Sequence, residues 1–231
     1  MRYAIPFSGG LDSTAGISEV LKSDPSGVLD IFHLQMRLRL PCLWIAQLNS
    51  ALKILKYYRA AYPKAQLNFF TMSLDMELPR YDRIPMQDII FYHLYMALRI
   101  NKHIDVYEYI LNCITADDRE RGIGGWPQAD KLLEIYAPGA SKKLNRIFLG
   151  WDRFEVYKLI PKEIRDITWS CWHPQIEGDF IHSCGKCSKC VENNRLIIPN
   201  NIVEHSDLAP LVTKYKSIED EIAQLEMEYL K

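Results

Sequence analysis

Two groups of residues in this chain have the types and spacing to do chemistry. The first is Ser8-Gly9-Gly10-Leu11-Asp12-Ser13-Thr14, which follows the apolar run Arg2 to Phe7. Two adjacent glycines let the backbone bend sharply and come close to a ligand. The side-chain oxygen of Asp12 or Ser13 can cap a helix that starts here. The N–H groups of that first turn, at the positive end of the helix dipole, then face an anion of phosphate size. A Walker loop needs a Lys before its Ser or Thr, and Asp12 stands in that place instead. The second group is Cys171, Cys184, Cys187 and Cys190. Two residues separate each neighbouring pair of the last three, which lets two thiolates point at one ion, and Cys171 completes a set of four. Four thiolates make a closed, tetrahedral Zn²⁺ site of the structural kind. The spacing alone also admits an iron–sulfur cluster. Lys186 and Lys189 flank the set and offset part of its negative charge, while His173, His182, Cys42 and Cys113 stand outside it.

The elements that must position these groups follow from periodicity. The pattern predicts helices over Thr14 to Lys22, Leu40 to Tyr62, Asp88 to Ile100, Pro127 to Tyr136 and Arg153 to Ile160. It predicts strands over Arg2 to Phe7, Val28 to Phe32, Leu67 to Leu74, Val106 to Thr115 and Arg146 to Leu149. Asp75 to Met86 and the Gly-rich stretch Ala116 to Trp126 read as loops. Strands alternating with helices imply a five-stranded parallel α/β sheet, Rossmann-like, covered on both faces. The Ser8 loop then sits at the carboxyl edge of the first strand, where such sheets bind ligands. The expected division is a nucleotide-binding domain over residues 1–167 and a metal-binding region with a C-terminal helix over 168–231. Within the latter, Ser206 to Lys231 carries Leu211, Tyr215, Ile218, Ile222, Leu225 and Tyr229 on one stripe.

The chain has 231 residues, is 48% hydrophobic and 25% charged, and has a formal net charge of -1. That balance gives no global pull toward nucleic acid. No apolar run reaches the length of a membrane span, and the first residues lack the basic and apolar regions of an export signal. The expectation is a cytoplasmic protein in which clustered cysteines hold metal rather than form disulfides.

The stretch Ser8 to Thr14 resembles the SGGxDS pyrophosphate loop of the PP-loop ATP pyrophosphatases, which split ATP between its α and β phosphates to adenylate a substrate. Together with the four-Cys set, it makes the chain resemble the 7-cyano-7-deazaguanine synthase (QueC-like) family. Between the two motifs, Ile84-Pro-Met-Gln-Asp-Ile-Ile-Phe91 is similar to that family's V-P-G-R-N-I-L-F, and Gly125-Trp126-Pro127 to its G-Y-P. Asp152-Arg153-Phe154-Glu155 is similar to D-K-x-E, and Thr168 to Trp172 to T-x-x-C-Y. The departures gather at the acceptor end. Gln87-Asp88 replaces Arg-Asn, Asp117-Asp118 replaces Asp-Tyr, and Pro127-Gln128-Ala129-Asp130 replaces P-D-C-R.

The resemblance implies an adenine-nucleotide α-hydrolase-type fold and an ATP-dependent carbon–nitrogen ligase. Such an enzyme turns a small carboxylate, 7-carboxy-7-deazaguanine or an analogue, into the amide or nitrile with ammonia. It implies ATP held by Phe7 to Thr14, with Mg²⁺ on the phosphates and Zn²⁺ on the cysteines. Ser8 donates to phosphate, Asp12 is a cap or a metal contact, and Arg153 stabilises the α-phosphate or makes a surface salt bridge to Asp152 or Glu155. Gln87, Asp117 and Trp126 line the acceptor site, where Trp126 can stack on a heterocycle and Asp117 either accepts from a guanine-like edge or, with Asp118, opens a solvated charge run to Arg121. Gly122, Gly124 and Gly125 read as a lid or as plain turns, and a homodimer is the expected assembly. The departures leave open a changed acceptor, a small molecule or a protein, and a non-catalytic nucleotide-binding module.

Overall fold

The computed structural model describes residues 1–36, 41–74, 87–116, 126–177, 180–195 and 202–204. The predicted loop 75–86, Asp117, Gly122, Gly124, Gly125 and the predicted helix Ser206 to Lys231 lie outside the described residues.

Strands β1 (Arg2–Pro6), β2 (Val28–Met36), β3 (Gln66–Leu74), β4 (Tyr109–Leu111) and β5 (Leu144–Asn145) form a parallel sheet in the order β3-β2-β1-β4-β5. The helices are α1 (Leu11–Ser23), α2 (Pro41–Ala61), α3 (Gln87–Ile100), α4 (Trp126–Tyr136), α5 (Arg153–Leu159), α6 (Lys162–Arg165) and α7 (Ser188–Arg195). Successive strand residues face opposite layers. Tyr3, Ile5, Leu29 and Ile31 join the core formed with α1, α2 and α5, while Ala4 and Phe32 join the core formed with α3 and α4. Both faces of β1 and β2 are therefore covered, and the polar residues of β2, Asp30, His33 and Gln35, are buried with the apolar ones. Short strands β6 (Gln175–Glu177), β7 (Phe180–His182) and β8 (Ile202–Glu204) form a separate antiparallel sheet.

The Rossmann-like fold class is as read from the sequence, and several boundaries move for physical reasons. β2 runs past Phe32 to Met36, because His33 to Met36 pair with Thr71 to Leu74 and the polar side chains find partners. His33 Nδ1 meets the Phe7 carbonyl, and Gln35 accepts from the Ser73 hydroxyl. β4 is confined to Tyr109–Leu111, with Asn101–Val106 wound as a 3₁₀ helix and Val106 left exposed. β5 is Leu144–Asn145, the two residues that register with Ile110 and Leu111. The expected strand at Arg146 to Leu149 is instead a turn, closed by Leu149 N–H on the Arg146 carbonyl. Its Phe148 is buried there, and an apolar turn and a buried strand look alike in sequence.

Helix α1 begins at Leu11, three residues before the Thr14 expected from periodicity. Gly10 is the N-cap, with extended backbone (φ -83°, ψ 170°). Its carbonyl accepts from Thr14 N–H at 3.0 Å and from the Thr14 and Ser13 hydroxyls at 2.7 and 3.3 Å. Neither Asp12 nor Ser13 caps the helix, because both lie inside the first turn. The turn into it is made by Gly9, at φ +76°, a region an L side chain enters only with strain. A Cβ on Gly9 would also lie 2.6 Å from the Gln47 carbonyl of α2. Gly10 has an ordinary φ, and a Cβ there meets nothing nearer than 3.0 Å. Gly9→Ala should therefore lower the unfolding free energy, read from urea midpoints, by at least about 2 kcal/mol. Gly10→Ala should cost distinctly less, and equal losses would contradict the close packing of α2 on this turn.

Candidate nucleotide loop and metal centre

The order β3-β2-β1-β4-β5 reverses direction between β1 and β4, so a crevice opens at the carboxyl edges of these two strands. Phe7 to Gly10 leave β1 into that crevice, and Asn112 to Ala116 leave β4 beside it. Phe7 is anchored by its N–H on the Phe32 carbonyl, 2.8 Å, and by its own carbonyl on His33. Ser8 Oγ accepts from the Gly10 N–H at 3.2 Å, which leaves the Ser8 hydroxyl proton to donate to a ligand. The first turn of α1 carries no side-chain cap. Its leading N–H groups precede the first intrahelical bond, Thr14 to Gly10, and so have no acceptor within the helix. An open helix start beside a tight glycine turn is a site for an anion.

His33 is fully buried on β2, and burial pushes its pKa down to about 4. Since a carbonyl only accepts, the 2.8 Å contact to Phe7 assigns the proton to Nδ1. Nε2 is then a buried lone pair with no hydrogen-bond partner among the described residues.

Arg153 occupies a place that sequence spacing did not indicate. Asp152 and Glu155, the surface partners considered for it, instead form a capping box with each other at the start of α5. The Arg153 side chain is 2% exposed and points inward. Its NH1 lies 3.2 Å from Asp12 Oδ2 and 3.8 Å from Glu192 Oε2. Its Nε donates to Asn193 Oδ1 at 3.2 Å and its NH2 to Ser170 Oγ at 3.0 Å. Glu192 is itself buried and lies 3.7 Å from Lys189 Nζ. Lys189 is thus drawn inward to a carboxylate within the cysteine-bearing segment.

Cys171, Cys184, Cys187 and Cys190 come together with all four Sγ atoms within 4.8 Å of one another. Cys187 and Cys190 are 3.5 Å apart, and Cys184 and Cys190 4.0 Å. Around one tetrahedral ion with metal–sulfur bonds of ~2.3 Å, the sulfurs stand ~3.8 Å apart. In a four-iron cluster each thiolate binds a different iron, which spreads the sulfurs further. The cysteines therefore have the compactness of a single-ion site. Gly185, at φ +66°, turns the knuckle so that the N–H groups of Lys186 and Cys187 point at Cys184 Sγ, at 3.4 and 3.2 Å. The Cys184 N–H points at Cys171 Sγ, 3.2 Å. Such donors favour the thiolate form that a metal needs. The hydrogen bond between Cys171 and Cys187 pushes the Cys187 thiol down and the Cys171 thiol up.

The structure brings the loop, Asp12, Arg153 and the cysteines into one region. Gln87 and Trp126 are placed only as the first residues of α3 and α4, their side chains are not described, and Asp117 lies outside the described residues. The altered Asp130 pairs with Arg146, which follows β5 at the same edge of the sheet. Sequence reading missed Ser170, Glu192 and Asn193. The first lies inside the quoted motif Thr168 to Trp172; a lone acid or amide carries no signal until the fold shows its partner.

No family model matches the chain, and no curated protein matches it. Among solved structures, the chain is similar to the U34-tRNA thiolase NcsA from Methanococcus maripaludis with its [4Fe-4S] cluster, at 14% identity and a TM-score of 0.48, over 98% of this chain and 73% of that one. It is similar to NMN synthetase from Francisella tularensis at 17% identity and a TM-score of 0.40, over 70% of this chain and 63% of that one. It is also similar to a predicted subunit of tRNA methyltransferase from Methanocaldococcus jannaschii, at 13% identity and a TM-score of 0.35, over 69% of this chain and 74% of that one. At these values the likenesses carry nothing about this chain's substrate. Among the described residues no helix is long and apolar enough to cross a membrane.

The buried His33 has a signature in stability. Its ordinary pKa is 6.5 and its folded value about 4, so its neutral form stabilises the fold fully above pH 6.5. As pH falls toward about 4, the unfolded chain takes up a proton that the folded chain refuses, and up to about 3 kcal/mol is lost. Urea midpoints of the wild type should therefore fall more steeply over this range than those of His33→Asn. Parallel profiles would show that His33 is not held neutral.

Proposed function

We propose that this chain is an ATP-dependent ligase of the PP-loop type, which adenylates a carboxylate at the carboxyl edge of β1. The observation that carries this reading is the uncapped start of α1 behind Ser8-Gly9-Gly10, opening at the point where the sheet order reverses. Ser8 donates its hydroxyl proton, and the leading N–H groups of α1 donate theirs, to the phosphate oxygens that become pyrophosphate. Mg²⁺ supplies charge neutralisation on those oxygens when bound, with Asp12 as the carboxylate of the loop. A carboxylate oxygen of the acceptor forms a bond to the α-phosphorus as the bond to the β,γ-diphosphate breaks. Ammonia then attacks the acyl carbon, loses a proton, and AMP leaves to give the amide. A second adenylation on the amide oxygen, followed by loss of AMP and of both protons on the nitrogen, gives the nitrile. The acceptor proposed is 7-carboxy-7-deazaguanine or a close analogue, on the resemblance quoted above. Arg153 serves this site by holding Asp12, since its guanidinium is enclosed by protein partners.

A second reading keeps the adenylation and changes the acceptor. It is favoured by Asp130, an acid where the resembled family has Arg, bound here to Arg146. The cation at that edge is thereby supplied from the neighbouring strand end and presented differently. A homodimer and a Zn²⁺ ion on the cysteines belong to both readings.

A pyrophosphate-release screen over carboxylated deazapurines, other small carboxylates and ammonia tests the choice. Acceptor-dependent release of equal pyrophosphate and AMP is expected, reduced about tenfold or more by Ser8→Ala. ATP binding without turnover for any acceptor would leave a nucleotide-binding module and overturn the ligase. Elemental analysis of the purified chain should find stoichiometric zinc, lost in Cys187→Ser. Iron with visible cluster absorption would overturn the zinc assignment.

A further inference from the structure

The metal centre and the nucleotide loop touch through two separate chains of contacts. In the first, Trp169 N–H donates to the Gly9 carbonyl at 2.8 Å, and the Trp169 indole Nε1 donates to the Cys171 carbonyl at 3.0 Å. One residue, Trp169, thus joins the glycine turn to a metal-site cysteine. In the second, Asp12 is held by Arg153, and Arg153 is held by Ser170, Glu192 and Asn193. Ser170 immediately precedes Cys171, and Glu192 and Asn193 follow Cys190 on α7. The guanidinium is therefore gripped by two segments, each of which carries a cysteine of the cluster.

When the cysteines hold an ion, the distance between Cys171 and Cys190 is set by two metal–sulfur bonds. That fixes Ser170 relative to Glu192 and Asn193. Without metal–sulfur bonds, the two segments are joined at the cluster by weaker hydrogen bonds to sulfur, such as Cys184 N–H to Cys171 Sγ. Arg153 and Glu192 are both buried, so a shift of either segment leaves charge unbalanced in a place water does not reach. The shift is then transmitted to Asp12 in the first turn of α1, beside the amides that receive phosphate.

We propose that metal binding at the four cysteines and nucleotide binding at the Ser8 loop are thermodynamically linked, with Glu192 and Asn193 as the positioning residues that carry the linkage through Arg153 to Asp12. The inference rests on the nucleotide reading above. Linkage is reciprocal, so each ligand must tighten the other by the same factor.

The test uses the full chain, with Co²⁺ as the metal because its thiolate complex is coloured, and α,β-methylene-ATP with Mg²⁺ as a nucleotide that cannot be cleaved between its α and β phosphates. Co²⁺ affinity, measured by spectroscopic titration against a chelator, should rise at least about fivefold when the analogue is saturating. Analogue affinity, measured by calorimetry, should rise by the same factor when Co²⁺ is loaded. In Glu192→Gln the cobalt–thiolate spectrum should persist while the factor falls toward unity. Asn193→Ala should also reduce it, and carries the test if the first variant does not fold. Equal Co²⁺ affinity with and without the analogue, or a factor unchanged in the variants, overturns the inference while leaving the nucleotide reading intact. An analogue that binds neither the loaded nor the metal-free chain overturns both.

Discussion

A single buried guanidinium ties the parts of this molecule together. Arg153 enters from the first position of α5 and is met by α1, by the segment that leads to Cys171, and by α7, which carries Cys190. A buried positive charge is tolerated only where acceptors surround it, and removing one partner of such a pair commonly costs about 3–5 kcal/mol. The requirement runs in both directions. Arg153 needs Asp12, Glu192, Asn193 and Ser170 to be buried at all, and those four residues, scattered over nearly the whole chain, are brought together by it. A surface salt bridge would impose nothing comparable.

Around that charge, the backbone closes the same contact a second time. Gly9 turns with a left-handed φ directly under α2, its carbonyl takes the Trp169 N–H, and the turn delivers an open helix start to the crevice between β1 and β4. No Cβ fits between the loop and α2, so position 9 requires glycine. His33 fastens the other end of the loop through the Phe7 carbonyl, at the cost of a buried ring that must stay neutral. The loop is thus held from β2, from α2 and from the cysteine-bearing segment.

Much of this could be read from residue patterns, and the failures share one cause. The Gly-Gly turn, the order of strands and helices, and the four cysteines all rest on local spacing, and they stand. β2 reads as ending at Phe32, yet it continues because His33 and Gln35, though polar, are buried with partners, the Phe7 carbonyl and the Ser73 hydroxyl. Arg146 to Leu149 looked like a strand because it is apolar, yet the ladder with β4 uses Leu144 and Asn145. Arg153 reads from its neighbours as a phosphate contact or as a surface partner of the acids at one and two positions, yet those acids cap the helix and the described partners of Arg153 are far away in the chain. Polarity and spacing report what a residue is, whereas burial of a polar group depends on what the fold puts beside it.

The amino-acid sequence by itself determined the class of fold, the place of the glycine turn and the composition of the four-cysteine set. Each of these depends on residues within one turn, one strand or one short knuckle, where chain connectivity already brings the groups together. Only the tertiary structure decided that the turn and the cysteines form one assembly. That decision depends on Arg153 meeting Asp12 from 141 residues away and Asn193 from 40, and on Trp169 meeting Gly9. No local preference encodes such meetings; they arise because a buried charge and a buried amide must each find a partner when the chain packs.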